Sequence, residues 1–354
     1  MSDLDRRMDR GARLGVNQGE SEGPVSAEAP PWQGVRMLVA AKRNEAGSPQ
    51  ICPQDCPRGA AAGTDFEIWP GPMEGVGRGG FIDAVNQMGL VPRWMTPFFR
   101  VSHELPRRRK LESFLAPFLA AQVPVCVQLM GTDAELIGIA ATEFVRIGAE
   151  SVNLNFGCPS RQVTSGGAGG GALRHPEKLS SFCRMVKAAL PEDIPLSVKL
   201  RAGWERENEM DVVLPELVSS GAVSKIFFHY RTVKELYSPL PPEIRLRRLH
   251  RAVELCGKVP LIANGDISSV AEARELVSGS GCAGVMIARP WLQDPFLLRR
   301  FYDDSVPEAE AGREAFFAEL RQRALPEGAL IELALMLWGR DSVQFKALIA
   351  GKRG

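Results

Sequence analysis

The 354-residue sequence has no apolar run near the roughly 18 residues that a membrane-spanning helix needs. Its N-terminus also lacks the charged-then-apolar pattern of a signal peptide, so we expect neither membrane insertion nor export. An excess of one charge is absent too, because 43 basic and 42 acidic residues leave a net charge of +1. Any nucleic-acid partner must therefore be bound by local basic patches. Apolar content of 45% and charged content of 24% are typical of a globular protein.

Cysteine and histidine are scarce and scattered. Seven cysteines, an odd number, do not form a disulfide framework, so we expect reduced thiols in a cytoplasmic protein. Cys52 and Cys56 form a C-x3-C pair, but no second pair or nearby histidine completes a zinc site. The four histidines show no metal-binding spacing, and no metal is expected.

The chain changes character near residue 65. Residues 1–64 are rich in Gly, Pro, Ala and charge without an apolar period, which predicts a disordered extension. Beyond them, short apolar runs typical of buried parallel strands alternate with stretches that have apolar residues three and four apart. The predicted strands are Phe66–Pro70, Arg93–Arg100, Pro124–Gly131, Ser151–Phe156, Leu196–Arg201, Lys225–Arg231, Leu261–Asn264 and Gly284–Ala288. Thr132 and Ser269 begin capping-box patterns of two helices.

Eight strand–helix units over residues 65–303 predict an α/β fold of the TIM (β/α)8 barrel type, with a doubly wound open sheet as the alternative. Residues 304–354 are predicted to form a small C-terminal helical segment. Its amphipathic candidates are Glu314–Arg323 and Ile331–Trp338.

Polar residues gather at the carboxyl ends of the predicted strands, where barrels of this type place their active sites. They are Gly71–Gly75, Gln128, Asn155 with Cys158, Lys199 with Arg201, His229–Arg231, Asn264–Asp266 and Ala288–Arg289. Polar groups inside apolar runs are costly unless paired, and core packing does not explain seven strands that end this way.

The turn Gly157–Pro159 ends one of these strands and leaves the Cys158 thiol at its carboxyl end. Downstream, Ser165–Gly171 carries almost no side chains, so we expect its backbone to approach a ligand closely as part of a substrate pocket. The alternative is an ordinary buried cysteine beside a flexible loop.

The last strand ends indicate a phosphate site, because Gly265 exposes backbone N–H groups and Arg289 can donate to phosphate oxygens. Lys199 could stabilise an anionic reduced flavin, and Gln128 and His229 could donate to its ring edge. A half-exposed strand lysine and a hydrogen-bonded core histidine are the alternatives.

Taken in order, these motifs resemble the tRNA-dihydrouridine synthases, flavoenzymes that reduce a uridine in tRNA. The resemblance covers about residues 66–300. It rests on Gly71–Val76, Gln128–Gly131, Asn153–Pro159, Val198–Arg201, His229–Thr232 with Tyr237, Asn264–Asp266 and Val285–Arg289. The Pro-Met-Glu-Gly-Val sequence, together with Phe99-Arg100-Val101, is most similar to the C-type bacterial branch.

The resemblance implies FMN-dependent reduction of a uridine C5=C6 bond in the tRNA D-loop, with NADPH as electron donor. It implies that Cys158 is the proton donor, as suits a thiol whose pKa near ~8.5 keeps it protonated at pH 7. Asn155, Arg201 and Arg100 are the implied substrate contacts. The implied cofactor-binding residues are Pro72, Met73, Glu74, Gln128, Lys199, His229, Asn264, Gly265, Asp266, Ala288 and Arg289.

The family binds tRNA with a C-terminal helical domain, and here that segment is shorter. The basic candidates for tRNA contact are Arg107–Lys110, Arg245, Arg247, Arg248, Arg251, Arg299, Arg300, Lys352 and Arg353. Tyr230 replaces a usually small residue and is expected to crowd the flavin phosphate or the substrate mouth. Ala288 replaces a glycine and is expected to restrict backbone approach to phosphate.

Two other functions remain open from the sequence. One is a flavin enzyme that reduces a free pyrimidine, although the Val-Lys-x-Arg and His-x-Arg-Thr motifs suit that class poorly. The other is an RNA-binding barrel that has lost catalytic turnover through Tyr230, Ala288 or the short C-terminal segment.

Overall fold

The computed structural model describes residues 65–75, 79–323 and 325–351. The predicted disordered extension with Cys52 and Cys56, and the basic pair Lys352 and Arg353, lie outside these ranges. Among the described helices, none has the length and apolarity needed to cross a membrane.

The described strands form one parallel sheet in the order β1-β9-β8-β7-β6-β5-β4-β2, with β3 also paired to β4. Their bounds are β1 (Glu67–Pro70), β2 (Trp94–Met95), β3 (Phe99–Arg100), β4 (Val125–Met130), β5 (Ser151–Phe156), β6 (Leu196–Arg201), β7 (Lys225–His229), β8 (Leu261–Asn264) and β9 (Gly284–Ile287). β1 and β2 lie side by side without a hydrogen-bonded ladder, so the sheet is a nearly closed barrel. The predicted (β/α)8 barrel is confirmed.

One predicted strand is divided in two. The run Arg93–Arg100 becomes β2 and β3, separated by Pro97. Proline has no N–H to donate to a ladder, so pairing with β4 stops at Thr96 and resumes at Phe99.

Helices follow the strands around the outside of the barrel. Their bounds are α1 (Gly79–Gln87), α2 (Arg108–Leu119), α3 (Ala134–Ile147), α4 (Arg161–Thr164), α5 (Leu179–Ala189), α6 (Met210–Ser219), α7 (Pro242–Cys256), α8 (Val270–Ser280), α9 (Arg289–Gln293), α10 (Ala309–Gln322), α11 (Glu327–Trp338) and α12 (Val343–Gly351). Short 3-10 turns occupy Gly169–Arg174, Pro176–Lys178, Glu207–Glu209 and Arg299–Phe301.

The two predicted capping boxes have different outcomes. Ser269 caps α8 by accepting the N–H of Glu272, as predicted. At α3 the cap is Asp133, which accepts the N–H of Leu136, and the capping box predicted at Thr132 is wrong. Aspartate is the stronger N-cap of the two residue types, so the helix begins one residue later.

The C-terminal helices pack beside α1. Phe316 on α10 meets Phe81 on α1 edge to face, with ring centroids 5.6 Å apart. α10 and α11 start before the predicted bounds, and α12 lies within the predicted helical segment although no separate candidate helix was assigned there. The apolar residues of α12 surround the whole helix, so the sequence lacks the one-sided pattern from which a surface helix is inferred.

The floor of the barrel is closed at the amino ends of the strands. The Glu67 carboxylate accepts from Lys225 Nζ at 2.5 Å and from Trp69 Nε1 at 2.8 Å. Trp69 packs edge to face on Phe227 inside the barrel, with centroids 5.0 Å apart. This end therefore contributes stability, and chemistry is left to the carboxyl ends.

Candidate functional site

Cys158 lies on a turn that the Asn155 side chain holds in place. Asn155 Oδ1 accepts the backbone N–H groups of Gly157 and Cys158 at 3.0 and 2.9 Å. On the other side, Gly170 N–H donates to the Cys158 carbonyl at 2.9 Å. The thiol is partly exposed, and burial raises its pKa, so the sulfur carries a proton at neutral pH.

A chain of buried side-chain hydrogen bonds extends from this turn through the barrel interior. Asn155 Nδ2 donates to Gln128 Oε1 at 2.8 Å, and Gln128 Nε2 donates to Asn153 Oδ1 at 2.8 Å. Asn153 Nδ2 then donates to Ser197 Oγ at 2.9 Å. The backbone N–H groups of Gly157 and Cys158 can only donate, so Asn155 must direct Oδ1 towards them and Nδ2 towards Gln128. This orientation in turn fixes the orientation of each following amide in the chain. We call Asn155, Gln128, Asn153 and Ser197 the amide relay.

The amide relay changes the part that two predicted site residues play. Gln128 was expected to donate to a ring edge, but it is fully buried and bonded to a relay amide on each side. Asn155 was expected to contact substrate, yet its oxygen already holds the turn. Sequence reasoning missed Asn153, although its spacing of two residues from Asn155 places both on one face of β5.

The glycine loop packs against the cysteine turn. It was expected to bring backbone close to a ligand, but Gly169–Gly171 are buried in a 3-10 turn. A Cβ on Gly169 would lie 3.0 Å from the Cβ of Cys158, and one on Gly170 would lie 2.6 Å from Val233. These three glycines are therefore small because the protein itself needs the space, and the expectation that the whole loop Ser165–Gly171 lines a substrate pocket stays a prediction.

Lys199 lies across from Asn155, on the neighbouring strand of the sheet. It is partly exposed and forms no ion pair with any residue that the structure describes. Burial, with the nearby charge of Arg201, lowers the pKa of Lys199 to about 8. An anion beside Lys199 would raise its pKa again and keep the ammonium group protonated. The position therefore favours an anionic ligand.

His229 is a neutral hydrogen-bond donor. Burial, with the positive charges of Arg201 and Lys199, places its pKa well below 6.5. The backbone N–H of Arg231 donates to Nδ1 at 3.2 Å, so Nε2 carries the hydrogen. Nε2 lies beside Gly265, where an added Cβ would be 3.2 Å from that nitrogen.

Arg201 ties the cysteine turn to the segment after β7. It is 3% exposed, and its guanidinium donates to the carbonyls of Gly157, Thr232 and Leu236 at 3.1, 3.0 and 2.7 Å. The residue was expected to contact substrate, whereas these three bonds are all to the protein. Arg100, the third expected contact, is exposed at the carboxyl end of β3.

Asp266 joins three donors after β8. Its carboxylate accepts from Tyr230 Oη at 2.8 Å, from Arg289 Nη2 at 3.2 Å and from Arg231 Nη2. Burial alone would raise its pKa, but the hydrogen bonds from Arg231 and Tyr230 outweigh this and hold the pKa below its usual value. Asp266 therefore orients Arg289, which remains partly exposed.

The two departures from the family pattern are accommodated inside the protein. Tyr230 is 2% exposed and stacks on His229 with ring centroids 5.4 Å apart, so it lies behind the site and does not crowd its mouth. Gly265, with φ of +118°, makes room for the Tyr230 ring. The Ala288 methyl packs against Gly71, where an added Cβ would lie 2.5 Å away.

The remaining predicted residues line the same end of the barrel. Asn264 donates to the Met286 carbonyl at 2.9 Å and so joins β8 to β9. Pro72, Met73 and Glu74 follow β1, and burial of the Glu74 carboxyl raises its pKa to about 6. Within the described ranges, no cluster of three His, Cys, Asp or Glu side chains could hold a metal ion.

Most of the basic candidates for RNA contact are already ion-paired. The pairs are Arg108–Glu112, Arg245–Glu272, Arg247–Glu207, Arg248–Glu235, Arg251–Asp211, Arg299–Asp303 and Arg300–Asp294. Arg107, Arg109 and Lys110 form no ion pair with another described residue. They lie at the start of α2, which follows β3 and faces the carboxyl end of the barrel.

Comparison with known proteins agrees with this geometry. The family model described as "Dihydrouridine synthase" matches residues 70–326. The tRNA-dihydrouridine(16) synthase of Cupriavidus necator is 31% identical over 68% of this chain and 75% of its own length. The enzyme of the same name from Pseudomonas syringae pv. tomato is 29% identical over 77% of this chain and 86% of its own.

A solved structure supports the fold alone. It is a complex of 2-naphthoyl-CoA reductase with 2-naphthoyl-CoA, and it matches with a TM-score of 0.52 at 10% identity. The match covers 66% of this chain and 49% of the reductase.

Proposed function

The chain belongs to the dihydrouridine synthase family, and on that premise we propose that it reduces a uridine in the D-loop of tRNA to dihydrouridine. The observation that carries the proposal is the Cys158 thiol. It keeps its proton, it is partly exposed, and it lies at the same barrel end as Lys199 and His229. Two relatives are named for position 16, which makes that uridine the first to examine.

The donors at this end suit FMN. Lys199 favours a nearby anion, His229 offers Nε2–H, and Arg289 with the Gly265 backbone can receive a phosphate. When bound, FMN would supply the hydride, with NADPH as the source of electrons. Gln128 and Asp266 contribute indirectly, through the amide relay and through Arg289.

The protein's own residues supply the proton and its placement. Cys158 donates to C5 of the uracil ring, and burial, which raises its pKa, keeps the thiol protonated until that step. Asn155 and Arg201 hold the turn from two sides, so the sulfur is positioned before substrate arrives. Because a stacked base cannot reach the thiol, the uridine has to be extruded from the folded tRNA.

Arg107, Arg109, Lys110 and Arg100 are the proposed contacts to the tRNA backbone. All four side chains lie at the carboxyl end of the barrel or on the helix start that faces it. Binding through phosphates releases counterions, so we expect affinity for tRNA to fall steeply as salt is added.

The proposal is tested by incubating the purified protein with FMN, NADPH and unmodified tRNA, then locating dihydrouridine by mass mapping. Formation of dihydrouridine in the D-loop supports it. Reduction of free uracil or uridine without reduction of tRNA would assign the protein to free pyrimidines. If the protein binds tRNA but holds no flavin and forms no product, it is an RNA-binding barrel without catalytic turnover.

A further inference from the structure

An aromatic and cationic cluster lies on the rim of the barrel, outside the site described above. The Arg174 guanidinium lies over the Trp204 ring, 3.7 Å from its centroid, and Lys234 Nζ is 5.5 Å from the same centroid. The three residues come from the loops that follow β5, β6 and β7. We call them the Trp204 platform.

The platform is built on a fixed loop. The Glu209 carboxylate accepts the backbone N–H groups of Trp204, Glu205 and Arg206 at 2.5, 3.2 and 3.1 Å. The Trp204 carbonyl in turn accepts Lys234 N–H at 3.0 Å. The ring is therefore oriented without any ligand, and a ligand would not have to order it.

The two cations of the platform lack acidic partners. Arg174 and Lys234 are exposed, and neither forms an ion pair within the described ranges. This contrasts with the paired arginines of α7 at the same barrel end, such as Arg248 with Glu235. Two uncompensated positive charges around an aromatic ring favour a ligand that is both planar and anionic.

A groove of about 320 Å³ opens beside the platform, which is near the lower end of the volumes that hold small ligands. It is bounded by Leu173, Arg174, Pro176, Trp204, Val212 and Val213 together with the Glu209 stem. Its apolar walls suit the faces and edges of a ring, while the charges stand at its border.

The platform is continuous with the cysteine turn. Arg174 ends the 3-10 turn whose Gly170 N–H bonds to the Cys158 carbonyl. Trp204 follows three residues after Arg201, which donates to the Gly157 carbonyl. The platform and the cysteine turn are therefore joined by the same two segments at the carboxyl end of the barrel.

We propose that the Trp204 platform binds a nucleotide of the substrate tRNA near the target uridine. Its base stacks on the Arg174–Trp204 pair, and its phosphate contacts Lys234 and Arg174. RNA-binding proteins commonly read unpaired bases on aromatic rings and on guanidinium planes. The proposal rests on the proposed function, because it assumes that tRNA is the substrate.

The test compares W204A, W204F, R174A and K234A with wild type for tRNA affinity across a salt series and for KM and kcat. K258A is the matched control for K234A, since Lys258 is exposed between α7 and β8 at the opposite end of the barrel. Flavin content and thermal unfolding verify that each variant is folded.

We expect W204A to weaken tRNA binding about 5- to 150-fold, the range for loss of one stacked base, with kcat nearly unchanged. W204F retains a stacking face and stays within a few-fold of wild type. R174A and K234A each lower the slope of log affinity against log salt by about one, and K258A does not.

Wild-type affinity and salt slope in folded W204A, R174A and K234A would overturn the proposal. An equal loss in W204F and W204A would also overturn it, because stacking would not be responsible. If wild type binds tRNA without reducing it, the proposed function fails, while the affinities still decide the role of the platform.

Discussion

Replacing Asn155 distinguishes a residue that holds the Cys158 turn from one that contacts substrate. In Asn155→Ala, the N–H groups of Gly157 and Cys158 lose their acceptor, and Gln128 Oε1 loses its donor. A buried donor left without a partner costs about 1–3 kcal/mol. Because the Cys158 N–H is only partly buried, we expect a total loss of roughly 2–4 kcal/mol in the free energy of unfolding.

Asn155→Asp leaves the same turn intact. A carboxylate can accept both backbone N–H groups and can also accept from Gln128 once that amide turns over. The relay then reverses: Asn153 Nδ2 donates to Gln128 Oε1, and the Ser197 hydroxyl donates to Asn153 Oδ1. The new charge lies across from Lys199, which has no ion pair with the residues described. The two N–H donors and Lys199 offset part of the cost of burying this charge, so we expect Asn155→Asp to be more stable than Asn155→Ala.

The assay is urea unfolding of both variants, followed by single-turnover reduction of tRNA. We expect Asn155→Ala to slow turnover at least about tenfold, because each 1.36 kcal/mol of lost positioning is a factor of ten. Asn155→Asp should retain more of the rate. Equal stability of Asn155→Ala and wild type would refute the positioning role. Full turnover in Asn155→Ala would refute it as well.

Three further substitutions test other contacts. Lys199 loses its charge as pH rises through its pKa of about 8, so wild-type turnover should fall above that pH. Turnover of Lys199→Arg should stay level over the same range, because arginine keeps its charge. Parallel pH–rate profiles of the two proteins would contradict this. Tyr230→Phe removes one hydrogen bond to the Asp266 carboxylate and should cost about 1.5–3 kcal/mol in urea unfolding, whereas an unchanged midpoint would mean that the bond contributes nothing. Gly170→Ala adds a Cβ 2.6 Å from Val233 and should lower the free energy of unfolding by about 1–3 kcal/mol. Thermal unfolding measures this loss, with Gly328→Ala as the control because its added Cβ meets no atom. Equal losses in the two variants would contradict the expected clash.

The barrel could be predicted because its strands are short buried runs that alternate with helix-like stretches. Runs such as Ser151–Phe156 and Leu196–Arg201 have their exact bounds in the sequence, although each also carries polar side chains that bond inside the barrel. The break at Pro97 is a local effect that a long apolar run conceals. The bounds of α12 could not be predicted because its burial depends on packing against α11, which the sequence does not show.

The positions of the site residues could be predicted from the barrel topology, but their hydrogen-bond partners could not. Strand ends place Asn155, Gln128 and Arg201 at one end of the barrel, as the sequence predicts. Whether a polar atom there is free for a ligand depends on neighbours distant in sequence, such as the Leu236 carbonyl that binds Arg201. Tyr230 shows the same limit, because only the fold reveals the space that Gly265 leaves for its ring.

The role of Cys158 is tested most directly by mass mapping of dihydrouridine in tRNA treated with wild type or with Cys158→Ala, each loaded with FMN and supplied with NADPH. We predict that wild type forms dihydrouridine in the D-loop. Cys158→Ala should keep its flavin and lose about 100-fold or more of the rate, the usual contribution of a general acid. Wild-type turnover in Cys158→Ala would contradict the proton-donor role of Cys158, and the absence of dihydrouridine with wild type would contradict the proposed function of this protein.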